Sequence, residues 1–151
     1  MDFGSAVLAG IVATVVMTAI MYMAKSMGMD MDMPRMLGLM FAGPDKSGLV
    51  FGIGLMVHLM MGAVFGIVYA LGFEVLGVEA SWLWGAVFGV VHGVVAGTAM
   101  GMMPAMHPRM GDGEVLADPG PFARNYGAMM PAGIIMMHVI FGIVIGLIYN
   151  A

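Results

Sequence analysis

Three histidines lie where an ionisable side chain is costly. His58, His92 and His138 each fall near the middle of a long apolar stretch. His58 and His138 lie about ten and about nine residues into stretches entered from one side, and His92 about eleven residues into one entered from the other, so at about 1.5 Å per helical residue all three reach one depth. Polar groups at the centre of a bilayer usually face a bundle interior and mark a functional site by default. Three neutral imidazoles can ligate zinc, copper or iron. Two can hold a haem iron axially, with Gly62 and Gly142, one turn beyond His58 and His138, clearing space for a flat macrocycle. A proton relay is a third use. A fourth is structural, each ring bonding to a carbonyl or threonine on a neighbouring helix for about 0.6 kcal/mol.

A second set of soft donors lies between the apolar stretches. Met27, Met29, Met31, Met33 and Met36 follow the first, and Met103, Met106, His107 and Met110 follow the third. Closely spaced thioethers suit Cu(I). The competing reading is packing, because the chain holds 22 methionines and Met is a flexible apolar filler. His107 then becomes a solvated interfacial side chain.

Two of the central histidines belong to a repeated motif. Residues 58–69 read HLMMGAVFGIVY and residues 138–149 read HVIFGIVIGLIY; both fit H-x3-G-x3-G-x2-Y at an offset of 80. On a helix the His, both glycines and the Tyr share one sector. A weaker echo at an offset of 83 pairs Gly10 with Gly93, Met17 with Met100, Met23 with Met106, Met27 with Met110 and Gly28 with Gly111. Together these predict two tandem hairpins in one orientation, related by an axis along the membrane normal as in parallel-repeat transporters. Gly85, Gly89, Gly93, Gly97 and Gly101 recur every fourth residue. Such a ridge admits a close helix partner, from this chain or a second copy. Ala6, Gly10, Ala13 and Thr14 give the first stretch a similar small face, and Thr14 and Thr18 are expected to bond back one turn along their own helix.

The elements that must position these residues follow from composition. Hydrophobic residues make up 62% of the chain and charged residues 9%. A helix needs roughly 20 apolar residues to cross a bilayer, and the blocks at 3–24, 48–73, 81–103 and 129–149 qualify. The expected fold is an all-α membrane protein, a four-transmembrane-helix bundle built from two tandem helical hairpins in a single domain over 1–151. The segment MGMDMDMPRMLGLMFAGPDKSG is too polar to span, with 36–42 as a short interfacial turn, and the third loop is rich in Pro, Gly and acids. The absence of Cys excludes disulfides and thiolate chemistry. The first block is too long for a signal-peptide core and no A-x-A site follows, so it reads as a retained span.

Charge sets an expected orientation. Lys25, Arg35, Lys46, Arg109 and Arg124 lie in the first and third loops, whereas Asp2, Glu74 and Glu79 mark the other side. By the positive-inside rule the basic loops are cytoplasmic and both termini face out. Tyr69, Phe73, Trp82, Trp84 and Tyr149 would then form an outer aromatic belt, with Tyr22 and Tyr126 at the inner interface. A net charge of −4 spread over short loops implies no nucleic-acid partner.

The stretches ATVVMTAIM and MDMPRMLG, with the two H-x3-G-x3-G-x2-Y motifs, carry a resemblance over most of the chain. It resembles a family of small four-span prokaryotic membrane proteins known as a domain of unknown function, and is more distantly similar to YagU-type inner-membrane proteins. The resemblance implies a multi-pass protein of the prokaryotic inner (cytoplasmic) membrane and supplies no activity or ligand to carry over. No nucleophile–base set, phosphate loop or paired carboxylate lies within a span, so an enzyme is not expected. The leading expectation is a non-catalytic accessory or assembly subunit, whose partners are the bilayer and other membrane proteins or a second copy. The alternative is a copper- or haem b-binding protein using His58, His92 and His138. A small transporter or channel is a third reading, weakened by the lack of an intramembrane carboxylate or broken helix.

Overall fold

Asp2 starts the first helix. Its carboxylate accepts from the Gly4 and Ser5 N–H groups at 2.9 and 3.2 Å, capping α1 (Phe3–Ser26). The computed structural model describes residues 1–149. Asp32 caps α2 (Met33–Leu39) by accepting from the Arg35 N–H, with Pro34 in the first turn. That cap begins the helix ahead of the expected 36–42 turn. Helix α3 (Ser47–Leu76) stops at Gly77, whose φ of 64° is the left-handed conformation that glycine adopts without strain. Ser81 caps α4 (Trp82–Met100). A short α5 (Met103–Met106), a 3-10 turn (Pro121–Tyr126) and α6 (Met130–Ile148) complete the chain. Helices α1, α3, α4 and α6 are each long and apolar enough to cross a membrane, the form of a multi-pass membrane protein.

Helix α1 packs on α3, α4 packs on α6, and the two pairs join through α1 and α6. Helix α2 lies along the start of α3, while α3 and α4 barely touch. Glycines set the close contacts. A Cβ on Gly10 would strike the Gly62 carbonyl, one on Gly66 the Ala6 carbonyl, and one on either Gly85 or Gly142 the other's carbonyl. The partner of the α4 ridge is therefore α6 of the same chain. Towards the ridge's end, Gly97 and Gly101 face Phe122 and Pro121 instead. Ala6 and Gly10 on α1 take the places that Ser81 and Gly85 take on α4, because Gly66 and Gly146 abut Ala6 and Ser81 in the same way. The α1 and α4 positions that make these contacts are 75 residues apart, whereas the sequence identities are 83 apart. Backbone-to-glycine contact fixes the packing register, and the shared methionines do not.

One end of the bundle carries the Met1 ammonium, 3.6 Å from Glu74, and an aromatic cluster. Tyr69, Phe73, Phe141 and Tyr149 are buried there, with ring centroids 5.0 Å apart for Phe73–Phe88 and 5.7 Å for Tyr69–Phe88 and Tyr69–Phe141. Tyr69, Phe73 and Tyr149 therefore belong to the core and not to an interfacial belt; only Trp82 and Trp84 stay on the surface. The helical motif that aligns each Tyr with its glycines also turns it inward.

Candidate functional site: a histidine and methionine chamber

The three central histidines line one cavity of about 370 Å³. His58 reaches it from α3, His92 from α4 and His138 from α6. Each ring is held through Nδ1. For His58 the partner is Thr18 Oγ1 at 3.2 Å, for His92 the Tyr69 hydroxyl at 3.3 Å, and for His138 the Ile134 carbonyl at 2.8 Å. A carbonyl only accepts, so His138 carries its proton on Nδ1 and, as a neutral ring, keeps a lone pair on Nε2. Among the described residues no protein group bonds to the three Nε2 atoms, and no fully buried side-chain nitrogen lacks a partner. Those nitrogens therefore reach the cavity space.

Apart from Thr14, whose hydroxyl bonds back to the Gly10 carbonyl, the rest of the lining is apolar. Met17, Met21, Met31, Met33, Met61, Met100, Met103 and Met137 surround the chamber with Phe65, Phe141, Leu37 and Ile134. Phe65 stacks on His92 at 4.0 Å, and the His92 and His138 rings lie 4.5 Å apart at 72°. This spacing bears on the chemistries open to the site. Two metal–nitrogen bonds of about 2 Å each at a tetrahedral angle, together with the depth of two rings, would hold the centroids farther apart than that. No three His, Asp, Glu or Cys side chains among the described residues are placed to hold one metal ion. Gly62 and Gly142 do not clear room for a macrocycle either, since Thr14 and Gly85 occupy the space beside them.

The loop methionines scatter. Met31 and Met33 line the chamber with Met103. Met36 and Met110 are buried in an apolar cluster that adjoins the chamber through Met100 and Ile134, and Met29 packs against it. Met27 and Met106 are exposed. His107 is buried, its Nε2 donating to the Met36 carbonyl at 2.8 Å and its Nδ1 accepting from the Arg109 N–H at 3.1 Å. Both nitrogens are thus engaged, and neither a solvated histidine nor a free ligand stands there. With Arg109 Nη1 donating to the Leu39 carbonyl, His107 ties the third loop to α2.

A polar latch holds the loop beneath the chamber. Lys25 Nζ lies 2.8 Å from Asp32, the Tyr22 hydroxyl donates to the same carboxylate at 3.0 Å, and the Met33 N–H points at Met21 sulfur at 3.5 Å. Burial acts to raise the Asp32 carboxyl, but the bonds from Lys25, Arg35 and Tyr22 outweigh it and hold it below the usual carboxylate range. Tyr126 is pushed up, first by burial and then by Asp118 and Asp30.

Sequence reasoning missed the orienting partners. Thr14 bonds back to the Gly10 carbonyl as expected, but Thr18 bonds to His58 on another helix. Tyr69 was visible in the motif as the residue sharing a face with His58, yet its hydroxyl meets His92. No curated protein and no solved structure matches the chain. The model of the family described as "Family of unknown function (DUF6789)" matches residues 1–151, and the chain belongs to that family.

Proposed function

We propose that this is a non-catalytic membrane protein that holds an apolar small molecule in the histidine-lined chamber, as an accessory subunit of a larger membrane assembly. One observation carries the reading: a concave apolar cavity of about 370 Å³ lined by three imidazole rings, each oriented through its Nδ1. That is the form of a small-molecule site, and its volume lies within the usual range for one. An ion alone is far smaller than the space. The bundle supporting it reads as two copies of one hairpin, with Gly10–Gly62 and Gly85–Gly142 as equivalent contacts. Both termini outside the inner membrane, with the basic loops cytoplasmic, remains the orientation that charge favours.

Eight thioethers on the lining favour a second reading, a Cu(I) site. A monovalent soft ion suits neutral His and Met donors, and no carboxylate is present to offset a dication. Native mass spectrometry of protein purified in mild detergent, with metal analysis of the same sample, separates the two. The proposal expects a co-purified organic molecule that is lost in His138→Ala. Protein carrying stoichiometric copper and no organic ligand would replace it with the second reading, and protein that binds neither would end both.

A further inference from the structure

A ligand has three sides by which to reach the chamber, and the structure closes two. Towards the acidic end the buried rings of Tyr69, Phe73 and Phe141 fill the bundle. Towards the basic end Met31 and Met33 cover it, on a loop pinned by the Lys25–Asp32 pair at 2.8 Å. The third side is the seam between α3 and α4. These helices meet at Phe73–Phe88, near the short turn that joins them, and again at Phe65–His92, halfway along both. On the basic side of Phe65 and His92, no hydrogen bond or ring contact among the described residues joins them. Met61, Val95 and Ala99 line the chamber from these two helices and are also exposed, Met61 by 41% and Val95 by 62%. In a membrane that surface faces lipid.

We propose that the α3–α4 seam is a lateral portal through which a bilayer-dissolved molecule with an apolar tail and a hydroxyl head enters, its hydroxyl donating to His138 Nε2. This rests on the chamber being a small-molecule site and adds the route and the head-group class. The head group follows from the tautomer. His138 Nδ1–H donates to the Ile134 carbonyl, so Nε2 accepts, and a ligand must offer a donor; a hydroxyl does so and an ether does not. The tail follows from the portal, whose Met, Val and Ala side chains offer only dispersion and apolar burial. Met side chains adapt to irregular apolar shapes, so the head is read and the tail is tolerated.

The test uses two photoprobes with the protein in phosphatidylcholine nanodiscs: a 4-decylphenol bearing a diazirine in its tail, and the methyl ether of the same probe. Cross-linked residues are mapped by peptide mass spectrometry. The proposal expects the phenol to label Met61, Val95 and Met137 above the lipid-facing control residues Leu8 and Val64. The methyl ether should label these sites less, on the order of 2- to 10-fold, as loss of one net hydrogen bond predicts. In His138→Leu the two probes should label alike. Ala99→Trp, placed in the seam, should suppress label at Met137 and leave Leu8 unchanged, with Val95→Trp as a second blocking variant should the first not fold. Label at Met137 that is equal for both probes and survives both Trp variants would overturn the portal and the head group while leaving chamber binding intact. Label no stronger at Met137 than at Leu8 would overturn this inference and the chamber reading together.

Discussion

Thr18 on α1 and His58 on α3 hydrogen-bond across the helix pair at 3.2 Å, both buried. This bond orients one of the three chamber histidines and crosses the α1–α3 interface beyond its glycine contacts. Thr18→Val keeps the shape and removes the oxygen. It should cost about 0.6 kcal/mol, the mean for such bonds in membranes, and a double-mutant cycle with His58→Leu should show coupling of that order. Additive losses in thermal unfolding would mean that the bond does not form.

Gly85 faces the Gly142 carbonyl and Gly10 faces the Gly62 carbonyl. Gly85→Ala and Gly10→Ala should each lose about 1–3 kcal/mol, because backbone cannot yield to a methyl group as a side-chain tip can. Gly52, which has open space around the position of a Cβ, is the control, and Gly52→Ala should be neutral or slightly stabilising. Equal melting temperatures for all three variants would refute the register described above.

Asp32 makes stability depend on acid. Its folded carboxyl is held below its unfolded value, so its contribution is complete above the unfolded pKa, near 3.9. The contribution declines as pH falls through the folded value, where both states bind the proton alike. Unfolding measured from pH 6 down to pH 2 should therefore show a loss in wild type that is smaller in Asp32→Asn. At pH 7 that variant should be less stable by about 1–2 kcal/mol. A variant with the same acid slope as wild type would assign the slope to other carboxylates.

His107 should act as a clamp. His107→Ala leaves the Met36 carbonyl without its donor and should cost about 1–3 kcal/mol, with faster proteolysis of the 104–120 loop. His107→Gln, which can still donate, should recover part of it. An unchanged proteolysis rate in His107→Ala would show that Arg109 holds the loop alone.

The charge-based orientation has a direct test. Ser47→Cys, at the start of α3, should resist an impermeant external thiol reagent, whereas Glu79→Cys, in the α3–α4 turn, should react. The reverse pattern would invert the protein. Glu79 serves better than Ser81, whose hydroxyl lies 3.4 Å from the Trp84 N–H and caps α4.

Much of this arrangement is legible in the chain. Uninterrupted apolar blocks delimit four helices, and the convergence of His58, His92 and His138 follows from counting residues to one depth. The glycine periodicity marks the close helix faces. What could not be read is azimuthal. Periodicity shows that Thr18 and Tyr69 lie on particular faces of their helices, but their partners depend on which helices become neighbours. The dispersal of the methionines has the same origin. Met31 and Met33 reach the chamber, whereas Met27 ends α1 on the surface and Met36, on α2, turns into the apolar cluster. A thioether run in one dimension thus becomes a lining, a core and a surface in three.

With α3 and α4 joined only between their short turn and the mid-helix Phe65–His92 contact, the two helix pairs resemble the blades of a fan pinned along α1 and α6. With the seam open to lipid as proposed, the width of the chamber would be set partly by the pressure that acyl chains exert on the open edge. Lipids that crowd the midplane will narrow it and those that relieve crowding will widen it. The capacity of the site is in this sense a property of the protein and its bilayer together.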